Sequence, residues 1–519
     1  MFPYRRSLQS AIGQGLAEYI RKDYGFTMQD LKQKTLRGGL ARLVAQGANF
    51  SFRLISLMVL ARLLSPKEFG LVGMVTAFTG VLELFRDFGL SAAAVQRHSV
   101  TQEQISTLFW INIFVGSVLG LMTAAMAPLV ADFYHEPRLS AVTAVLAIGF
   151  LTNAAGIQHS VQLQRHMRFT ALAVIGTIAL FVGTVIGVLG ALAGYGYWAL
   201  VAMMVTQSLA LTVGLWLVAA WVPGKPRRGV GIRSMMRFGG TLTLNGLVVY
   251  IASNFEKVLL GRFWGADAIG IYGRAYQLVR IPTDNLNGAV GEVAFSALSR
   301  IQHDPGRIRS YFLKGYSLVL AMTLPLTIAC AVFADDVILV LLGPKWKEAG
   351  AIFRLLAPTI LVFATANPLS WLLSSLGMVG RLLKMALAIA PAMIISYFLG
   401  LPYGPRGVAI AYSTVMSLWL LPLIAWAVHG TMISVRDILV TIARPLASGL
   451  VAGLIALAAR MAYGQFLSPW PRVILEVGVL LISFAGILLF VAGQKSFYLD
   501  LYRELRRSSS VKSEGLVSA

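Results

Sequence analysis

Apolar residues run through this chain in long blocks, broken by short clusters rich in Lys, Arg, Gly and Pro. A block of about 20 apolar residues, wound as a helix, crosses a hydrocarbon layer roughly 30 Å thick, and helices satisfy their own backbone polar groups in lipid. Blocks and breaks together predict spans at 39–63, 69–96, 105–131, 139–162, 170–193, 197–222, 237–262, 268–297, 308–334, 348–377, 382–400, 405–428, 438–462 and 470–494, fourteen in all. The expected fold is an all-α polytopic membrane protein. Two shorter apolar pieces, PLVADFY and VILVLLGPKW, follow the third and ninth spans and are expected at the outer membrane interface.

The polar breaks carry their own signal. With the N-terminus inside, the inner loops hold Arg97, Arg165, Arg168, Lys225, Arg227, Arg228, Arg300, Arg307, Arg309, Arg381, Lys384 and Arg436. The outer loops hold Lys67, Arg138, Lys345, Lys347, Arg406 and Arg472, mostly beside acids such as Glu68, Glu136 and Glu348. Cytoplasmic loops carry the excess of Lys and Arg, so both termini are expected in the cytoplasm. A net charge of +22 would suggest nucleic acid if it were gathered in one place, but here it is dispersed over short loops and tails. The single cysteine, Cys330, lies in an apolar run and excludes a disulfide within the chain. Only 13% of the residues are charged, half the share of a soluble domain, about a quarter.

Residues 1–38 form a polar, basic cytoplasmic segment without a secretory signal pattern. Leu8, Ile12, Leu16 and Tyr19 fall at helical spacing, which suits an amphipathic helix on the membrane surface. A start of translation at Met28 explains the same stretch equally well.

One corner is written twice. VLARLLSPKEFGLVG joins the first two spans and LLGRFWGADAIGIYG joins the seventh and eighth, placing Arg62 on Arg262, Gly70 on Gly270 and Gly73 on Gly273. Weaker echoes pair Asn153 and Arg168 with Asn367 and Arg381. Six spans separate the corners, so the two halves share one orientation, as in parallel-repeat transporters. The expected organisation is a first lobe at 39–222, a cytoplasmic linker at 223–236, a second lobe at 237–428, two extra helices at 429–494 and a basic tail at 495–519.

Ionised side chains inside a membrane are expensive and usually face a wet interior. They gather in the first two spans of each lobe: Arg53, Glu83, Arg86 and Asp87, then Glu256, Lys257, Arg274, Arg280, Asp284 and Glu292. Arg280 with Asp284, and Glu83 with Arg86, have the spacing of local pairs on one helix face. Arg62 and Arg262, at outer helix ends, read as corner anchors. Arg53, Lys257 and Arg274 have no acid one turn away on the same face, and guanidinium groups suit a phosphate. The candidate anion cavity is thus Arg53, Arg86, Lys257, Arg274 and Arg280, with Glu83, Asp87, Asp284 and Glu292 as candidates for ion coupling. The six histidines have no metal spacing, and no P-loop, GxSxG or CxxC occurs. Neither metal nor cofactor is expected.

The stretches KQKTLRGGLARLVAQGANF, LARLLSPKEFGLVGMVTAFTGVLELFRDFGLSAAAVQR, VADFYHEPRL, QLQRHMRF, SNFEKVLLGRFWGADAIGIYGRAYQLVRIP and VLLGPKWKEAGAIFRLLAP resemble bacterial polysaccharide flippases of the Wzx type. These belong to the superfamily of MATE multidrug exporters and lipid II flippases. The resemblance covers about residues 31–495. It implies a MATE-like pair of lobes in the bacterial inner membrane that opens alternately to either side. It implies no enzymatic activity. The implied substrate is an oligosaccharide on undecaprenyl pyrophosphate, with cavity arginines such as Arg53 and Arg274 for the pyrophosphate. A polysaccharide polymerase and a chain-length regulator are the implied partners. A cation-coupled drug exporter and a lipid II flippase share the fold and stand as alternatives. A membrane-embedded sugar enzyme fits less well, because the outer loops are short.

Overall fold

The computed structural model describes residues 50–86, 100–227 and 233–496, with 47 and 498; the side chains of 233–246, 285, 286, 288, 289, 292, 293, 296 and 465 are outside that set. Asp87, the side chain of Glu292, the segment 1–38 with its expected surface helix and the Met28 start, and the basic tail beyond 498 therefore lie outside the described residues.

Among the described residues every regular element is helical. The first helix, α1, occupies residues 50–63, followed by α2 (Pro66–Glu83), α3 (Gln102–Ala125), a short α4 (Ala127–Tyr134), α5 (Arg138–Leu146), α6 (Ile148–Arg165), α7 (Phe169–Leu192) and α8 (Tyr197–Ala219). The run α9 (Arg233–Arg300) covers the seventh and eighth expected spans and turns at Gly265. Then come α10 (Pro305–Val332), a short α11 (Ala334–Leu341), α12 (Lys347–Leu356), α13 (Pro358–Ser375), α14 (Val379–Gly400), α15 (Gly404–Val428), α16 (Val435–Tyr463) and α17 (Pro469–Gly486). The two interfacial pieces expected from the sequence are α4 and α11. The fourth expected span is interrupted at Ala147, between α5 and α6. The tenth bends by 49° between α12 and α13, where Pro358 restarts the helix because it cannot donate to the preceding turn.

Eight helical stretches are long and apolar enough to cross a membrane, or nine if the bent pair is one span, among the described residues. Neither α2 nor α9 is one of the eight. These are the helices whose charges require a polar surround, and they lie against each other along most of α2. On one side of that pair, α3, α6, α7 and α8 pack together; on the other, α12 to α15 pack on α9. A core of buried side chains from α1, α2 and α9, including Leu60, Leu71, Met74, Leu260 and Tyr272, ties the two groups together.

Sequence echoes in the loops become helix caps. Arg168 Nη1 donates to the Val218 carbonyl at the end of α8 at 3.1 Å. Its counterpart Arg381 donates to the carbonyls of Ala427 and His429, at the end of α15, at 3.3 and 2.6 Å. The last carbonyls of a helix have no partner within it and carry its partial negative charge, so a cation there meets both needs. The stretch after α8 is held down as well: Trp110 donates to the Gly224 carbonyl at 2.8 Å, and Gly224 N–H to Ser106 at 3.0 Å.

The last two helices dock by a different means. In lipid there is no hydrophobic drive between apolar helices, so close packing and polar contacts must hold them. Ala452 and Ala456 of α16 and Leu480 and Phe484 of α17 bury against Ile328, Ala329 and Phe333. Beside them Asp336, only 6% exposed at its side chain, pairs with Arg460 at 2.6 Å and Arg472 at 3.2 Å, and Arg460 reaches Glu476 at 3.5 Å.

Candidate functional site

The two corners are built from different local chemistry. In the first, Ser65 ends the turn from α1, and its N–H and hydroxyl both donate to the Glu68 carboxylate, at 2.6 and 2.9 Å. This is the capping arrangement that fixes a helix start, and Pro66 follows it where a missing N–H does no harm. The second corner turns on Gly265, whose φ of 79° lies in the left-handed region, where a side chain would add strain.

The corners then pack head to head. A methyl group added at Gly70 would lie 1.7 Å from the Ala266 carbonyl oxygen, and one at Gly270 would lie 1.9 Å from the Pro66 carbonyl oxygen. The same two-hundred-residue offset relates Gly70 to Gly270 and Pro66 to Ala266, so the contact is reciprocal. Backbone meets backbone at both points, and no residue but glycine leaves the room. Nearby, the Arg138 guanidinium donates to Glu136 at 2.7 Å and holds its carboxyl below the usual range.

Directly beside this contact lies a cavity of about 300 Å³. Phe69, Gly73 and Thr76 of α2 form one wall, and both arms of α9 form the other with Lys257, Gly273, Arg274, Gln277, Arg280 and Asp284. The spacing 273, 277, 280, 284 is a single helical stripe. Three cations and one carboxylate face the space.

Their partners decide which charge is free to bind. Arg280 is bonded to Asp284 at 3.0 Å and lies 4.5 Å over the Phe363 ring. Lys257 donates to the neutral Asn254 amide at 2.7 Å. Arg274 donates to the Gln277 amide oxygen and stacks 4.5 Å from the Phe69 ring centre. Among the described residues neither Lys257 nor Arg274 is hydrogen-bonded to a carboxylate, so each brings positive charge to the cavity on a neutral partner. A charge-assisted hydrogen bond from such groups to phosphate is about twice as strong as a neutral one.

Of the sequence candidates, the structure brings Lys257, Arg274, Arg280 and Asp284 together. Arg86 is paired with Glu83 at 2.6 Å and does not line the cavity. Arg53 is exposed and also absent from its walls. Residues 50, 51, 53 and 55 are all exposed and full burial on α1 begins at Ser56; in the turn that carries Arg53 it is Phe52, edge-on to Phe181 at 5.5 Å, and Leu54 that face the packing. Arg62 acts as an anchor, donating to the Val340 carbonyl at 2.8 Å and lying 5.6 Å over Trp470. Arg262 lies 5.8 Å over Phe133.

Sequence reasoning passed over Phe69, Thr76 and Gln277. Gln277, one turn beyond Arg274, was the available signal; Phe69 stands opposite Ile269 in the repeated corner, and that difference carries no meaning until the stacking is seen. Glu256 is 1% exposed, and its carboxylate oxygens have no hydrogen-bond partner among the described residues. It lies next to Lys257 in sequence but is buried away from the cavity walls. No cluster of three metal-ligating acids, histidines or cysteines occurs among the described residues.

Comparisons with known proteins bear on this arrangement. Lipopolysaccharide biosynthesis protein WzxC of Escherichia coli (strain K12) is 25% identical over 66% of this chain and 70% of its own length. Teichuronic acid biosynthesis protein TuaB of Bacillus subtilis (strain 168) is 29% identical over 55% of this chain and 60% of its own, so the match leaves over a third of that relative uncovered. Among solved structures, the lipid II flippase MurJ in an inward closed conformation superposes with a TM-score of 0.69, covering 90% of this chain and all of that one, at 13% identity. That likeness is one of fold: two groups of helices meeting at α2 and α9. The model for the family described as polysaccharide biosynthesis protein matches residues 59–351, from the end of α1 through both corners and the whole cavity. That is more than half of the sequence, and the chain belongs to this polysaccharide biosynthesis protein family.

Proposed function

We propose that the chain is a flippase that carries a lipid-linked oligosaccharide, joined to undecaprenol through pyrophosphate, from the cytoplasmic to the periplasmic leaflet by alternating access. The observation that carries this reading is the cavity between α2 and α9, where Lys257 and Arg274, among the described residues, are hydrogen-bonded to neutral amides and not to carboxylates. A sugar headgroup with a charged linker cannot enter hydrocarbon without losing its hydrogen bonds, at several kcal/mol for each buried polar group. A cationic chamber lined with Thr76 and Gln277 replaces part of that hydration while the apolar tail stays in lipid.

The helices up to α8 form one lobe and those from α9 to α15 the other, with the residues around 223–236 linking them on the cytoplasmic side. The corner end of the molecule then faces the periplasm. A polymerase that consumes the delivered units, and a regulator of chain length, are the partners this role requires. The names of the relatives, a lipopolysaccharide and a teichuronic acid biosynthesis protein, support a polysaccharide precursor.

The test is to measure surface polysaccharide and lipid-linked oligosaccharide together in a strain lacking the gene, complemented by the native chain or by Arg274→Gln. Loss of one charged hydrogen bond to an anion, about 1.5–3 kcal/mol, predicts polymer output roughly 10- to 100-fold lower with Arg274→Gln, at equal protein level. Lipid-linked units should accumulate. Normal output from both the deletion strain and the variant would remove the reading.

A further inference from the structure

The end of α1 is gripped by the opposite half of the molecule. Trp346, fully buried, donates its indole N–H to the Ala61 carbonyl at 2.7 Å. Lys345 donates to the carbonyls of Leu63 and Arg62 at 3.1 and 3.3 Å, and Arg62 donates back to Val340 at 2.8 Å. These are the carbonyls that a helix end leaves without partners, and here they are supplied from some 280 residues away. The mirror contact exists but is built from packing: Phe133 lies under Arg262, and the Tyr134 ring closes on Gly261. Each half thus holds the other's corner beside the contact of Gly70 with Ala266 and of Gly270 with Pro66.

Phe69 stands between this grip and the cavity. One side of its ring meets Trp346 edge to face at 5.4 Å, and the Arg274 guanidinium lies 4.5 Å from its centre. Its counterpart in the second corner is Ile269, which offers no ring for a cation. Among the described residues, then, the chain Arg274–Phe69–Trp346 connects a cavity charge to the bonds that cap α1.

We propose that Phe69 links occupancy of the cavity to release of the corner: an anion that draws the Arg274 guanidinium toward itself frees the Phe69 ring, loosens Trp346 and uncaps α1. This rests on the reading of the cavity as an anion site. The guanidinium is held there by a ring and a neutral amide, both weaker partners than a phosphate. Phe69 touches no reacting bond; it is a positioning residue whose role is to couple two sites, and coupling of this kind needs an element with two arrangements that both sites bias.

The experiment uses the full chain in lipid nanodiscs, with Cys330→Ala removing the native thiol and Ala266→Cys placing a reporter at the corner. Ala266 is 7% exposed beside Gly70, so a hydrophilic maleimide reaches the introduced thiol when the corners part. Inorganic pyrophosphate is the probe, and its binding is measured separately by equilibrium dialysis. Pyrophosphate should bind and speed labelling about fivefold or more, the factor that one cation–π contact represents. With Phe69→Ala, labelling should no longer respond even at pyrophosphate concentrations that saturate the variant, as fixed by its own dialysis curve; Phe69→Tyr should restore the response. Trp346→Phe keeps a ring against Phe69 but removes the bond to Ala61, and should label rapidly without pyrophosphate. Binding with no change in labelling, or an equal response in Phe69→Ala, overturns the link and leaves the anion site standing. Slow labelling of Trp346→Phe, matching the parent, shows that the grip is no latch. Absence of pyrophosphate binding to the parent overturns the anion site, and the link with it.

Discussion

Gly70, Gly270 and Gly273 are all repeated-corner glycines, yet the structure assigns them opposite tolerances. At Gly70 and Gly270 a methyl group would collide with a carbonyl oxygen that is part of the backbone, and a backbone cannot swing aside as a side chain can. Gly70→Ala and Gly270→Ala should each force the corners apart and lower polymer output more than tenfold, a cost above about 1.4 kcal/mol, as overpacking of a tight contact commonly brings. Because both substitutions open one shared contact, the double variant should lose less than the sum of the two singles; full additivity in the same complementation assay would mean that the corners act independently. Gly273 has no atom within 4 Å of the added methyl and faces the cavity. Gly273→Ala should preserve output and leave thermal stability equal or higher, since Ala is favoured over Gly by roughly 0.8–1 kcal/mol in a helix. Gly273→Leu should keep the protein folded but block the cavity, which thermal midpoint and polymer output measured side by side will separate.

Ion pairs on the helices do two different jobs. The Arg280–Asp284 pair is partly exposed, at 35% and 55% of its side chains, so its strength is screened and its loss should be mild for stability. Reversing Arg280 to Glu should impair output, and adding Asp284→Arg should restore part of it; failure of that rescue would show that Arg280 meets the substrate directly. Asp336 differs, being 6% exposed between two arginines. Asp336→Ala leaves Glu476, 3.5 Å from Arg460, to balance two arginines and should cost up to about 3–5 kcal/mol, seen as a lower thermal midpoint and faster proteolysis within α16 and α17.

These contrasts mark what the amino-acid order made readable. Apolar blocks predicted where helices lie because lipid tolerates little else. A charge inside an apolar block stands out whatever its spacing, so Lys257, Arg274, Arg280 and Asp284 were legible as residues that need a polar surround, and Arg280 with Asp284 also by i, i+4 spacing. What a stretch cannot announce is which face of a helix turns to the cavity. Arg53 has the chemistry of a cavity residue, but in its turn Phe52 and Leu54 take the packed positions and Arg53 is exposed. The recurring Arg168 and Arg381 were visible as an echo, while their role as caps depended on α8 and α15 returning to meet them. Phe69 lacked any signal of its own, because a phenylalanine in a corner is ordinary until a guanidinium lies on it.

Taken together, the contacts divide the molecule into a closed end and a linked end. At the first, Trp346, Lys345, Tyr134 and the paired glycines hold the corners, and Lys67 and Arg138 lie in the first turns of α2 and α5. At the second, Arg168 and Arg381 cap helix ends, and Arg227 is paired with Glu103 beside the stretch that leaves α8. The excess of Lys and Arg at the linked end predicts that this end faces the cytoplasm, so a substrate made there meets the cavity from the side opposite the grip. Orientation is therefore part of the mechanism: a closed corner end on the cytoplasmic side would bar entry of the substrate from the leaflet where it is made. Lys67→Cys and Lys225→Cys, each in the Cys330→Ala background, test it, since both positions are exposed and lie at opposite ends. An impermeant maleimide added to cells with a permeabilised outer membrane should label Lys67→Cys at once, and Lys225→Cys only after the inner membrane is opened. The reverse order would turn the molecule over and make the corner grip a cytoplasmic gate.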